Sequence, residues 1–364
     1  MTNREQEILE LIKKNPMISQ NEIAETLGIA RSSVAVHISN LIKKGYILGR
    51  GYIVRPNSYV AIVGGANIDI QGFPYDKLIY RDSNPGKVKV SLGGVGRNIG
   101  ENLARLGVPV KLISVLGSDV LSKKIIDESK IFGVDMKDSL VIEGESASTY
   151  LSILDENGDM TLAISYMDLF DRMTVDFIKQ KSHIIENALT LVIDTNIPTE
   201  VIEYIVTTFK DKDFFLDTVS ATKAKKVKDL IGYFHTIKPN KIEAEMLSGI
   251  KIDNEDDLRR AGEYFLKRGV KRVFISLGSE GVYFDDGENS GRVKGPNIPV
   301  VNATGAGDAF MAALVYAYIN DESIEESAKM GIAASMIALS HENTISPNMS
   351  IDNIELYMKE VKIC

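Results

Sequence analysis

From Tyr59 onward, short apolar runs alternate with longer amphipathic ones, and this alternation narrows the possible folds more than any other feature. Val60–Gly64, Val110–Leu116, Thr190–Asp194, Phe214–Val219 and Arg272–Leu277 read as short buried strands. Between several of them Arg97–Leu106, Leu121–Phe132, Thr199–Phe209 and Glu255–Arg268 place apolar residues at helical spacing. Strand and helix in turn predict an α/β sandwich, a mainly parallel sheet with helices on both faces. Ligands of such sheets sit at the C-terminal ends of the strands. Gly86–Leu92 falls outside the alternation, as do Ser148–Ile153 and Met160–Ser165 around the turn Asp155-Glu156-Asn157-Gly158-Asp159. These predict a small separate β sheet, a lid from about residues 70–92 and 140–168, able to cover a substrate and exclude water.

The first residues follow a different pattern. Arg4–Lys14 has Ile8, Leu9, Leu11 and Ile12 at helical spacing and stops before Pro16. Ser19-Gln20-Asn21-Glu22 is a capping-box start for a second helix, which turns at Gly28. A third, Ser32–Lys44, buries Val34, Ile38 and Leu41 and presents Arg31, Ser33, His37, Asn40, Lys43 and Lys44. Gly45–Val54 reads as a hairpin with Arg50 at its tip, and residues 55–58 as a linker. Two domains are expected, 1–56 and 57–364.

Charge divides the chain in the same place. Met1–Ser58 carries eight Lys and Arg against five Asp and Glu, while the remainder has 34 basic and 45 acidic residues. A mildly basic head on an acidic body suggests modules with different partners. No apolar run reaches about 18 residues, so no membrane span is expected and the expected location is cytoplasmic. Cys364 is the single cysteine, which excludes an intrachain disulfide and a multi-cysteine metal site.

Several segments carry chemistry. In Asn302-Ala303-Thr304-Gly305-Ala306-Gly307-Asp308 an extended run breaks into a small-residue turn and then a long apolar helix. The amides of Gly305, Ala306 and Gly307 can approach an anion at a helix N-terminus, where about half a positive charge accumulates. Asp308, in the first turn, is placed to take a proton from a hydroxyl. The same pattern fits an ordinary glycine turn whose aspartate caps a helix. Asn67 and Asp69 follow the first strand, where a carboxylate can accept hydroxyl hydrogen bonds; a local Asx turn is the alternative. Gly93-Gly94-Val95-Gly96-Arg97-Asn98 opens a helix, its glycines allowing close approach and Asn98 suiting a polyol. Asn240 and Glu243 lie on one face of a starting helix, able to position a hydrated metal ion or simply to cap it. Ser276, Gly278 and Gly281 follow a strand, with amides suited to a phosphate. No GxxxxGKS or GxxxxGKT sequence occurs, which disfavours a P-loop enzyme.

Taken in order, Gly65-Ala66-Asn67-Ile68-Asp69, Gly93-Gly94 with Asn98, Asn240 with Glu243, and Gly305-Ala306-Gly307-Asp308 resemble the ribokinase-like (PfkB) carbohydrate kinases across Tyr59–Cys364. The resemblance implies a ribokinase-like three-layer sandwich with a β lid, which transfers the γ-phosphoryl group of ATP to a sugar hydroxyl with magnesium. Carried onto this chain, it makes Asp308 the base and Gly305, Ala306 and Gly307 the anion hole. Asn67, Asp69, Gly93, Gly94 and Asn98 would hold the substrate. Asn240 and Glu243 would hold magnesium through water, with Lys238, Asn240, Ser276, Gly278, Gly281 and Thr304 near the nucleotide. Within the family, Asp82–Lys87, Ser148–Ser152 and His235–Asn240 resemble the pseudouridine kinases, which implies phosphorylation of the ribose 5′-hydroxyl and brings Ser83, Asn84 and Thr149 toward the base. Asn302 stands where potassium-activated relatives often have an acidic residue, which weakens the expectation of a potassium site.

The head resembles the winged helix-turn-helix modules of bacterial regulators over about the first 55 residues. That implies DNA binding, with the third helix in the major groove through Arg31, Ser33, His37, Lys43 and Lys44, and Arg50 on the backbone. A balance of +3 is small for DNA affinity, so a homodimer is expected. Two alternatives remain open at this stage: another nucleoside or sugar kinase, and a regulator that senses a ligand without turning it over.

Overall fold

The computed structural model describes residues 1–16, 18–47, 58–156 and 158–363. It divides into two compact units, Met1–Ser58 and Tyr59–Cys364.

In the first unit, helices Asn3–Lys14, Gln20–Leu27 and Arg31–Lys43 enclose a small core of Ile8, Ile12, Ile23, Val34, Ile38 and Leu41. Ser19 and Glu22 form the expected capping box, and Thr2 and Glu5 form a second one on the first helix. The Lys44 ammonium donates to both oxygens of the buried Glu5 carboxylate, at 3.0 and 2.8 Å. Lys44 therefore ties the third helix to the first, a structural task that the expectation of a DNA contact did not include. Arg31, Ser33 and Lys43 are exposed and His37 is half-buried. Arg50 and the outer part of the expected hairpin lie outside the described residues.

In the second unit, uniformly buried runs such as Val60–Val63, Leu191–Asp194 and Phe214–Asp217 assemble into a ten-stranded sheet. Seven of its strands, Val60–Val63, Val110–Ile113, Val134–Asp135, Leu191–Asp194, Phe214–Asp217, Thr236–Ile237 and Arg272–Ser276, are joined by parallel pairing. Val282–Asp285, Ser290–Lys294 and Lys362–Ile363 extend one edge antiparallel. Alternate residues of each strand enter two separate cores. Ala61, Val63, Leu191 and Leu216 face one helical layer, and Ile62, Leu112, Val192 and Phe215 face the other. The expected strand Val110–Leu116 breaks at Ser114, and Val115–Leu116 pairs with Leu140–Val141 in a small sheet of its own.

Chain order reverses at Val60–Val63. The next parallel strand, Val110–Ile113, lies on one side and Leu191–Asp194 on the other, which opens a crevice above the carboxyl ends. The Asp194 carboxylate sits in that crevice. Its Oδ2 accepts the N–H groups of Gly65 and Gly96 at 2.7 and 2.8 Å, and its Oδ1 accepts that of Asn196 at 2.8 Å.

A separate four-stranded sheet runs in the order Gly86–Gly93, Asn67–Pro74, Thr149–Leu154, Met160–Tyr166. Its second strand begins at Asn67, three residues after the central strand, and Gly72 and Pro74 had masked it in the sequence pattern. Cross-strand register sorts the side chains. Asp69, Gln71, Lys89, Ser91, Tyr150 and Ser152 share one face; Ile70, Val88, Val90, Leu151, Leu162 and Ile164 share the other.

A Cβ placed on Gly64 would come within 2.4 Å of Asp194 Oδ2. Gly64→Ala is therefore expected to cost about 1–3 kcal/mol through overpacking, read as a lower melting temperature with the far-ultraviolet circular dichroism spectrum retained.

Candidate functional site

The helix Ala306–Ile319 begins after Gly305, whose φ of 85° is left-handed and whose missing side chain leaves room for the Thr344 carbonyl. Asp308 lies in the first turn, with its side chain buried. The Asn98 amide donates to Asp308 Oδ2 at 2.8 Å, which joins two motifs 210 residues apart. Burial, and next the neighbouring Asp217 carboxylate, push the Asp308 carboxyl up to about 7. The Asn98 hydrogen bond and the Lys238 ammonium act in the opposite direction, and Asp194 adds to the rise. A carboxyl tuned in this way can be ionised near neutral pH and still accept a proton.

After the central strand, Asn67 Nδ2 donates to Asp69 Oδ1 at 2.7 Å. Burial raises the Asp69 carboxyl, while the Asn67 hydrogen bond and the charge of Arg97 restrain it. Gly93 and Gly94 are glycines of necessity: a Cβ on Gly93 would meet Asp69, and one on Gly94 would meet Ala66. Asn67, Asp69, Gly93 and Gly94 are thus packed together, and Asn98 lies four residues beyond Gly94 in the helix that follows. Ser83, Asn84 and Thr149 do not join them. Ser83 and Asn84 lie beyond the hairpin end where Pro74 pairs with Gly86, roughly 17 Å along the strand from Asp69. The Asn84 amide is bonded to Ile79 and to the Asp82 carbonyl. Thr149 pairs with Ile68 on the opposite face of the lid from Asp69, and its hydroxyl donates to the Ala147 carbonyl.

On the other side of Gly307, a cavity of ≈ 500 Å³ is lined by Lys238, Ser276, Gly278, Gly281, Ala306 and Gly307, with an apolar wall that includes Ile298 and Met336. Lys238 Nζ lies where a Gly307 Cβ would come to 3.4 Å, and it is 3.7 Å from Asp217 Oδ2. Thr304 is outside this lining, its N–H bonded to Asn302 Oδ1 at 2.9 Å. Asn240 bridges to Ser276 and caps the helix Lys241–Ser248. Glu243 Oε2 accepts from the Asn240 N–H and the Thr218 hydroxyl, and Oε1 from the Asn240 amide. One lone pair of Oε1 is left over, which suits a metal-bound water rather than direct ligation. The Asn302 amide donates to the Glu342 carbonyl, and Lys89 of the lid donates to the same carbonyl at 3.3 Å. The loop beside Asn302 thus already receives a cationic side chain.

Sequence reading missed Asp194, Asp217 and the pair Arg97–Glu101. The first two were signalled by a single aspartate ending each of two wholly apolar strands, at the end where such sheets bind ligands.

Comparison with known proteins decides the family. The profile of the pfkB family carbohydrate kinases matches residues 57–351. The chain belongs to the PfkB carbohydrate kinase family. It is a phosphotransferase with an alcohol group as acceptor, built on the ribokinase-like fold. A winged helix-turn-helix DNA-binding profile matches residues 1–47. Among PfkB relatives, the uncharacterised sugar kinase YeiI of Escherichia coli K12 is 37% identical over 97% of this chain and 98% of its own. The pseudouridine kinase of the same organism is 39% identical over 83% of this chain and 96% of its own. A sugar-kinase-like structure from Clostridium perfringens aligns with TM-score 0.78 at 46% identity, covering 85% of this chain and 98% of that one.

The raised Asp308 carboxyl has a consequence for stability. Its folded value of about 7 lies above the ordinary 3.8, so the fold holds this proton more tightly than the unfolded chain does. The contribution is fully present below the ordinary value and is lost as pH rises through about 7. Asp308→Asn removes the titration, so its melting-temperature advantage over the native chain should be larger at pH 8 than at pH 5.

Proposed function

We propose that this PfkB enzyme transfers the γ-phosphoryl group of ATP to the ribose 5′-hydroxyl of pseudouridine. The observation that carries the proposal is the Asn98–Asp308 hydrogen bond, which sets a hydroxyl-binding lining directly against an anion-binding helix start. The second N–H of the Asn98 amide and the Oδ2 of Asp69 are available to ribose hydroxyls. Asp308 accepts the 5′-hydroxyl proton as the oxygen attacks phosphorus. The amides of Gly305, Ala306 and Gly307 meet the charge that builds on the transferring group. The adenine would lie along the apolar wall at Ile298 and Met336, with its phosphates toward Lys238 and Gly307. Magnesium, held through water by Asn240 and Glu243, neutralises phosphate charge when bound. Pseudouridine is favoured over a free sugar by the 39% relative and by the segments Asp82–Lys87 and His235–Asn240. The YeiI relative keeps another sugar or nucleoside as the competing substrate.

A coupled ADP assay over pseudouridine, uridine, inosine, adenosine, ribose and fructose tests this. The expected result is a preference for pseudouridine over uridine of about a thousandfold or more, because a site built for the extra ring N–H rejects the base that lacks it. Equal or better turnover of a free sugar refutes the substrate. Asp308→Asn should lower kcat by about a hundredfold or more.

The head is proposed to bind DNA through Arg31, Ser33 and Lys43, as part of a cytoplasmic homodimer. The dimer is supported by the outer lid face, where Val88, Val90, Leu162 and Ile164 are 45–71% exposed and, among the described residues, no charged side chain intervenes. An uncharged apolar face can meet its own copy across a two-fold axis without repulsion. Sedimentation of the native chain should return a dimer and Leu162→Asp a monomer. In gel shifts with DNA from upstream of its own gene, the monomer should bind more weakly, and both should weaken steeply with salt.

A further inference from the structure

Behind Asn98 lies a buried ion pair for which the proposed reaction has no direct use. The Arg97 side chain is only 4% exposed and its Nη2 donates to Glu101 Oε2, one helical turn along. Its Nη1 donates to Asn98 Oδ1 at 3.3 Å. Asn98 in turn donates from Nδ2 to Asp308 Oδ2. A guanidinium can only donate and an ionised carboxylate can only accept, so these two neighbours select one of the two possible orientations of the Asn98 amide. In the flipped orientation the amide oxygen would face the Asp308 carboxylate and the NH2 would face the guanidinium, with both contacts repulsive.

We infer that Arg97, anchored by Glu101, is a positioning residue that locks the Asn98 amide and thereby holds the base Asp308 in its working orientation. The inference rests on Asp308 being the base of the proposed reaction. A buried ion pair is rarely worth more to stability than apolar residues of the same size, so its presence one residue from Asn98 calls for another reason. Arg105 donates twice to Glu101 Oε1, at 2.9 and 2.7 Å, so the carboxylate has a second cation that does not reach Asn98. The guanidinium of Arg97 stands 6.0 Å from the Phe132 ring centroid, and its charge also bears on Asp69. One arginine therefore acts on both carboxylates of the acceptor side. The charged groups that bear on Asp308 from the other elements are Asp217 and Asp194 at strand ends, and Lys238.

Arg97→Met tests the inference, because it keeps the bulk and leaves Glu101 paired with Arg105. The expected result is a fall in kcat of about tenfold or more, as for a misplaced catalytic group, with the KM for ATP unchanged. The acid limb of the pH profile should move to higher pH, since Asp308 loses a secured hydrogen bond to its ionised form. In an Asn98→Ala background, Arg97→Met should add no further shift of the acid limb; an added shift overturns the inference. A second readout needs no substrate. The pH at which Asp308 ionisation lowers thermal stability should rise in Arg97→Met, and Arg97→Met should produce no such shift in an Asp308→Asn background. An unmoved midpoint with uniformly lower stability assigns Arg97 to structure alone and overturns the inference. If no acceptor is phosphorylated, the proposed reaction fails, while the stability titration still decides the role of Arg97.

Discussion

The Asp194 carboxylate holds the crevice together. Three backbone N–H groups converge on it, from the turn after the central strand, from the start of the helix carrying Asn98, and from its own loop. Burial raises this carboxyl, and the amide hydrogen bonds work against that rise. Without it, the turn at Gly64–Ala66 and the helix start at Gly96 would each expose unpaired donors in a buried place, a costly arrangement. The glycines follow from the same contact. Gly64 and Gly96 are close to Asp194 and to each other, and a side chain on either would crowd that contact.

Given that clamp, the chemistry divides into two halves that meet at one helix N-terminus. In the proposed reaction Asp69 and Asn98 would serve the acceptor, and Lys238 with Gly307 the nucleotide. Asp308 is bonded to Asn98 on the first side, and Gly307, just before it, lies beside Lys238 on the second. The two carboxylates at strand ends, Asp194 and Asp217, both raise the Asp308 carboxyl, and Asn98 and Lys238 restrain it. The acidity of the Asp308 carboxyl is thus set first by its burial and then by charged and polar groups on other elements.

Much of this was legible in the residues. Uniformly apolar runs of four or five residues located the central strands, and small-residue turns followed by Asn or Asp located the lining, because those patterns reflect local constraints. The lid strand Asn67–Pro74 escaped because Gly72 and Pro74 normally end strands, yet here Gly72 avoids crowding Ile153 and Pro74 closes the strand at its tip. Asn240 and Glu243 were recognised, but the Thr218 hydroxyl that takes up part of the Glu243 carboxylate comes from 25 residues away. Ser83 and Asn84 read well as polar ligands in one dimension, and the hairpin places them at its far end. Lys44 was expected only as a DNA contact, and its ion pair with the buried carboxylate of Glu5, 39 residues earlier, was not foreseen. In each case the missing information was a long-range neighbour, which local spacing does not encode.

The first two lid strands are joined to the body by very little chain. Asn67–Pro74 departs through Gly64, Gly65 and Ala66, and the strand Gly86–Gly93 returns to the helix Val95–Arg105 through Gly94 alone. Gly94 has φ of 96°, a conformation that residues with side chains rarely adopt. Both connections lie against the Asp194 clamp, so neither works as a slack tether. Torsion at Gly94 is therefore the shortest mechanical link between the pitch of the lid and the helix that carries Asn98. Any change in the pitch of the lid would be geared directly to the amide beside Asp308.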